Sequence, residues 1–157
     1  MASAVDTQKF CANNMVQMFY HAPAAAATEQ SVKAGATTTT WQDLRDYDGF
    51  VAVAMTALLT GTGMIELSIY AAEDASATNA TEIKTTGAIA ADAVGDFTVL
   101  EVSAEEIAQI GKAAGYDLRY VTAYVDCQHN DDEVAVTYIR YGAKNAHLDL
   151  TAETISA

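Results

Sequence analysis

The sequence predicts a mainly β fold: a β-sandwich or barrel of jelly-roll-like kind, with one short helix and an extended N-terminal arm. Three observations lead there. Runs of period-two alternation recur between turn signals from residue 49 to residue 141, one stretch at 103–117 carries helix signals at both ends, and residues 1–40 hold few large apolar side chains. The expected organisation is an arm at 1–40, a β-sandwich or barrel domain at 41–144 and a tail at 145–157.

The arm carries Ala24 to Ala27 after Pro23 and then Thr37 to Thr40, tracts too small in side-chain volume to build a core. Phe10, Met15, Val16, Met18, Phe19 and Tyr20 are its apolar exception, at a spacing that suits a helix or a strand. An apolar patch on an arm docks either on its own domain or on a neighbour.

From Trp41 the texture becomes that of a domain, with Leu44 and Tyr47 leading into the first strand. Val51, Val53 and Met55 alternate with Ala52, Ala54 and Thr56, and the small residues of the second set suit close packing. Beyond Gly61-Thr62-Gly63, Ile65, Leu67 and Ile69 alternate with Glu66, Ser68 and Tyr70, which places Glu66 toward solvent or a subunit contact. The glycines between the two runs predict a hairpin, because glycine takes the positive φ of tight turns. The same interruptions make the stretch too broken for the roughly 20 apolar residues of a spanning helix.

Residues 71–81 read as a polar loop, Ile83 to Ile89 as a short segment, and ADAVGD as a turn. In DFTVLEV, Phe97 and Val99 stand opposite Leu100 and Val102. Ser103 and Glu106 form a capping box, Ile107 and Ile110 give the following helix a narrow buried face, and Gly115 closes it. Leu118 to Cys127 and Glu133 to Tyr141 are two further strands with QHNDD as their hairpin loop. Tyr120 and Tyr124 on the first and Tyr138 and Arg140 on the second lie at spacings that gather several on one side, for cross-strand packing or for an interface.

Twenty-one acidic residues against 8 basic ones give a net charge of −13, which argues against nucleic acid and against an anionic membrane. A solvated acidic surface accounts for the charge, as does an electropositive partner. Cys11 and Cys127 form no CxxC and are expected as free buried thiols. The start, MASAVDTQKF, lacks a basic segment followed by an apolar one, so folding in the cytoplasm of the producing cell is expected.

No catalytic residue, cofactor site or metal site is expected. No serine sits in a glycine-flanked elbow, and His21, His129 and His147 fall in arm, loop and tail. His129 to Glu133 offers hard ligands in consecutive positions that alternate in direction, which fits a solvated turn better than a cation site. WQDLRDYDGF lacks the spacing and distal glutamate of a calcium loop, and Asn79-Ala80-Thr81 is a formal glycosylation sequon in a loop.

DYDGFVAVAMTALLT, GMIELSIYAAED, DFTVLEVSAEEIAQIGKAAGYDLRYVTAYVDC and EVAVTYIRYGAK, in that order over residues 46–144, resemble β-rich capsid decoration (cement) proteins of tailed bacteriophages. The resemblance implies a virion structural protein on the capsid surface, binding the major capsid protein and copies of itself, as a homotrimer, and stabilising the shell. Phe10, Met15, Met18, Phe19, Tyr20, Tyr120, Tyr124, Tyr138 and Arg140 are the residues expected at such contacts. A head-tail or tail component of the virion and a small carbohydrate-binding β-sandwich are the rival readings, the latter weakened by the single tryptophan.

Overall fold

A computed structural model describes residues 17–25, 41–58, 63–91, 93–127, 133–142, 144 and 153–155. Phe10, Met15, Cys11, His129 and His147 lie outside them, as does the loop at 128–132. The strands are β1 (Gln17–Ala25), β2 (Gln42–Asp43), β3 (Gly49–Leu58), β4 (Gly63–Ala72), β5 (Thr81–Thr85), β6 (Ile89–Ala91), β7 (Phe97–Ser103), β8 (Tyr120–Cys127), β9 (Glu133–Tyr141) and β10 (Glu153–Ile155). One helix, α1 (Ala104–Ala114), stands between β7 and β8.

They form two sheets, in the orders β10-β1-β9-β3-β7 (sheet A) and β2-β8-β4-β5, with β6 also on β4 (sheet B). All pairs are antiparallel except β1 with β10. The mainly β expectation holds, as two open sheets; no closed barrel occurs among the described residues. The segments before residue 41 and after residue 144 each contribute a strand to sheet A, with Phe19 opposite both Tyr138 and Glu153.

Each strand of the sandwich buries one of its two alternating rows. On β3, Phe50, Ala52, Ala54 and Thr56 are at most 1% exposed, whereas Met55 on the other row is 44% exposed. On β4, Ile65, Leu67, Ile69 and Ala71 turn inward, and on β8 Val121, Ala123 and Val125 do the same. The alanines of β3 let the opposite layer approach, and the branched side chains of β4 fill the space. Full burial of a side chain such as Leu67 or Phe50 contributes about 1.5–3 kcal/mol.

Both expected hairpins are corrected. β3 pairs with β7 and β9 in sheet A while β4 pairs with β8, β5 and β6 in sheet B, so the chain crosses between layers after β3. β8 and β9 likewise belong to different sheets. Two consecutive alternating runs have the same appearance in sequence whether they pair side by side or face one another across a core. Here they lie in different layers of one core, β3 burying small side chains from sheet A and β4 larger ones from sheet B.

The helix follows its sequence signals. Ser103 takes an extended backbone (φ −88°, ψ 154°) and its Oγ accepts from the Glu106 N–H at 3.0 Å. Gly115 ends the helix in the left-handed region at φ 83°, where a Cβ would be strained. Ile107 is 1% exposed, but Gly111 shares the buried face with it rather than Ile110 alone. A Cβ at Gly111 would stand 2.7 Å from the Tyr116 carbonyl oxygen, so this helix position is small because the returning chain crosses it.

Candidate functional site

With the core assigned, the two outward rows of the sandwich remain, and they differ in chemistry. On sheet A, the register sets Val51 between Glu101 and Ile139, Val53 between Val99 and Thr137, and Met55 between Phe97 and Ala135. Phe97 is 70% exposed, Val99 47% and Met55 44%, with Leu58 at 47% close by. Val51, Val53 and Ile139 are half-buried. This is a contiguous apolar surface at the β7 edge of the sheet, larger than singly scattered apolar residues produce.

The rim of that surface is built. Tyr141 Oη donates to Glu101 Oε1 at 2.6 Å, and burial together with this carboxylate pushes the phenol up to about 12. The ring lies against Gly49, where a side chain would collide with it. Lys84 Nζ donates to the Glu101 carbonyl at 2.9 Å, which covers the β7 backbone at one point and puts a lysine on an otherwise apolar edge.

On sheet B the outward row is polar and aromatic. Asp126 stands opposite Glu66, Tyr124 opposite Ser68 and Thr122 opposite Tyr70, with Glu82 beside Tyr70 on β5. The rings of Tyr70 and Tyr124 pack at 4.1 Å between centroids with a 47° tilt, and Tyr70 Oη donates to Glu82 Oε2 at 3.0 Å. Thr85 Oγ1 donates to Glu66 Oε1 at 2.8 Å. Glu66, Ser68, Tyr70, Glu82, Tyr124 and Asp126, with Val125, line a groove of about 360 Å³.

At the end of the groove strands, the loop at 73–80 is held by its own side chains. Asp74 accepts from the Ser76 and Thr78 N–H groups and from Thr78 Oγ1 at 2.7–3.2 Å, and the Thr78 hydroxyl foremost, then its N–H, holds this carboxyl below its usual range. Asn79, the sequon residue, takes φ 52° and donates from Nδ2 to Glu73 Oε2 at 2.6 Å.

The expected contact residues therefore do not form one surface. Tyr120 and Tyr124 belong to sheet B, whereas Tyr138 and Arg140 belong to β9 in sheet A, so the aromatic pair of strands sharing one side is corrected. Arg140 turns to the domain's own chain: its guanidinium stacks over the Tyr47 ring at 4.2 Å and Nη1 donates to the Asp43 carbonyl at 2.8 Å. Met18, Phe19 and Tyr20 lie on β1, opposite Ile139, Tyr138 and Thr137. Sequence reasoning passed over Phe97, Val99, Met55 and Tyr70; the alternation of DFTVLEV contained the first two, but period two alone does not tell the outer row from the inner.

Among the described residues no group of three or more His, Cys, Asp or Glu side chains is arranged to hold a metal ion. No helix among them is long and apolar enough to cross a membrane.

No protein-family model and no curated protein matches the sequence. Among solved structures the chain is similar to the SPBc2 prophage-derived protein YomS, at 9% identity and a TM-score of 0.38 over 78% of this chain and 90% of that one. It is similar as well to a chain of infectious bursal disease virus, Gx strain, at 13% identity and a TM-score of 0.33, and to one of a T13 IBDV viral particle, at 12% and 0.27. In both viral cases 83% of this chain is covered but only 34% of the other.

Proposed function

We propose that this chain is a virion structural protein that binds the outer surface of an icosahedral phage capsid and stabilises it through contacts between subunits. The observation that carries the reading is the exposed apolar row of sheet A, Phe97, Val99 and Met55, on a chain of net charge −13. An acidic protein repels its copies everywhere except where the surface is uncharged, so contacts between neighbouring subunits concentrate on such a face. The resemblance of residues 46–144 to capsid decoration proteins supports the same role, with homotrimers and the major capsid protein as partners. On this reading the protein is not an enzyme and works by contact area alone.

The test is compositional and mechanical. Particles purified from a lysate that encodes the chain should contain it in many copies, and adding the recombinant chain to particles stripped of it should raise the temperature at which they release their genome. A chain found only in the unassembled fraction, with no effect on stripped particles, overturns the proposal. Light scattering on the free protein reports the trimer separately.

A further inference from the structure

We propose that the outer edge of β7 pairs with the same edge of a second copy, antiparallel about a twofold axis, so that two copies of sheet A become one continuous sheet. The proposal rests on the reading that the apolar side of sheet A is a contact between copies, but not on where in a virion the chain sits. β7 ends the order β10-β1-β9-β3-β7, and no strand among the described residues pairs with its far side. In an antiparallel strand the N–H and C=O of one residue point to the same side, and the side alternates along the chain. The Asp96 carbonyl accepts from the Thr56 N–H of β3 at 2.9 Å, whereas the Glu101 carbonyl accepts from Lys84 Nζ of β5. Thr98 and Leu100 therefore bond to β3, while Phe97, Val99 and Glu101 turn their backbone groups outward.

Sheet edges are ordinarily protected by charge, bulges or proline. β5, at the end of sheet B, has two of these: exposed Glu82 and Lys84, and a register shift against Ile69 and Tyr70 of β4. β7 keeps an unbroken register with β3 from Phe97 to Ser103 and carries no charge from Phe97 to Leu100. Its outward side chains there, Phe97 and Val99, are exposed.

The edge is complementary to itself in one register. Setting Phe97 against Val99 of the second copy, and Val99 against its Phe97, makes two reciprocally hydrogen-bonded pairs and extends the apolar face across the axis. The next such pair on either side would join Gly95 to Glu101, and both are engaged: the Gly95 N–H donates to the Thr56 carbonyl and the Glu101 carbonyl accepts from Lys84, each at 2.9 Å. A register displaced by two residues in either direction would have to break one of these bonds. Charge fits the same register. Asp96, which its bond from the Ala93 N–H at 3.0 Å holds at the start of β7, comes opposite Leu100 of the second copy, beside the Glu101 carbonyl on which that copy's exposed Lys84 rests. The twofold repeats this contact, and no two carboxylates stand at paired positions. A second copy supplies the whole pattern by symmetry, and because a twofold contact cannot lie within a homotrimer, it joins copies of neighbouring trimers.

The test uses the full chain carrying T98C. Thr98 meets Thr98 of the second copy at the axis, in a non-hydrogen-bonded position where Cα atoms approach to about 4.5 Å and a disulfide can close. Under mild oxidation this variant should form a covalent dimer about tenfold faster or more than E105C, whose site is exposed on α1. Peptide mass spectrometry should place the link at position 98, a necessary check because Cys11 and Cys127 are present. Adding V99P removes an N–H that faces away from β3; it should keep the circular dichroism of the parent and slow the cross-link by about tenfold or more. Adding K84E, on an exposed side chain, should slow it by about threefold or more, and this variant decides the matter if the proline disturbs the fold. Cross-linking of T98C no faster than that of E105C, or a rate unchanged by K84E, overturns the inference. A chain missing from particles yet linked at position 98 defeats the virion reading alone; a chain present in particles whose T98C form does not link defeats this inference alone.

Discussion

The outer faces of the two sheets are made from strands of the same kind, yet one is apolar and open and the other is polar, concave and internally bonded. On sheet A the outward side chains of β3 and β7 are half-buried or exposed, with Phe97 at 70%, and on β7 that row is apolar up to Glu101, which accepts from Tyr141. On sheet B the outward row is tied together by Tyr70 to Glu82 and Thr85 to Glu66. A face that satisfies its own polar groups gains little from a flat apolar partner, whereas an apolar face loses hydration favourably against almost any complementary surface. The difference teaches that one sandwich can present two unlike faces: sheet A offers uncharged area, whereas sheet B ties its polar groups to one another.

The comparison is sharpest where burial and exposure meet on one sheet. Phe50→Ala, on the inner row of β3, should destabilise the fold by about 3–5 kcal/mol in urea unfolding. Phe97→Ser with Val99→Thr, on the outer row, should leave the unfolding midpoint within about 0.5 kcal/mol of the parent while weakening self-association measured by light scattering. If the outer pair proves as costly to stability as Phe50, the apolar face is part of the core and the contrast between the sheets fails.

Next in size is Thr122→Val on sheet B. Removing a buried hydroxyl that has no partner among the described residues, at nearly constant volume, should stabilise the protein by about 1 kcal/mol. A loss of stability would show that this hydroxyl is bonded and that the sheet B face is more completely satisfied than the geometry indicates. At helix α1, which joins the two sheets, Ser103→Ala should cost about 1 kcal/mol by freeing the Glu106 N–H.

The smallest effect belongs to Tyr141 at the rim of sheet A. Its folded value near 12 exceeds the ordinary 10.0, so the fold favours the neutral phenol. The contribution is complete below pH 10 and is lost as pH rises toward 12, because the unfolded chain ionises first. Tyr141→Phe should therefore flatten the fall of melting temperature in that alkaline window and leave the curve near neutrality unchanged in shape. An identical alkaline slope in the variant would remove Tyr141 from the account.

The sequence by itself determined the local grammar of this protein. The alternation in GFVAVAMT and MIELSIYA specified which residues share a row, and Ser103, Glu106 and Gly115 specified where the helix starts and stops, because those signals act within a few residues through backbone hydrogen bonds and φ. The hairpins expected at Gly61–Gly63 and QHNDD were not decided locally. A strand cannot encode in its own alternation whether its successor lies beside it or across the core; that depends on which side chains fill the space between the layers. Only the tertiary structure set Ala52 and Ala54 in the layer opposite Leu67 and Ile69, and thereby brought Glu66 and Asp126, some sixty positions apart, into register on one groove. The same long-range pairing separated Tyr124 from Tyr138 and turned Arg140 onto Tyr47, since strand partnership depends on the summed packing of the whole sandwich and not on any one segment.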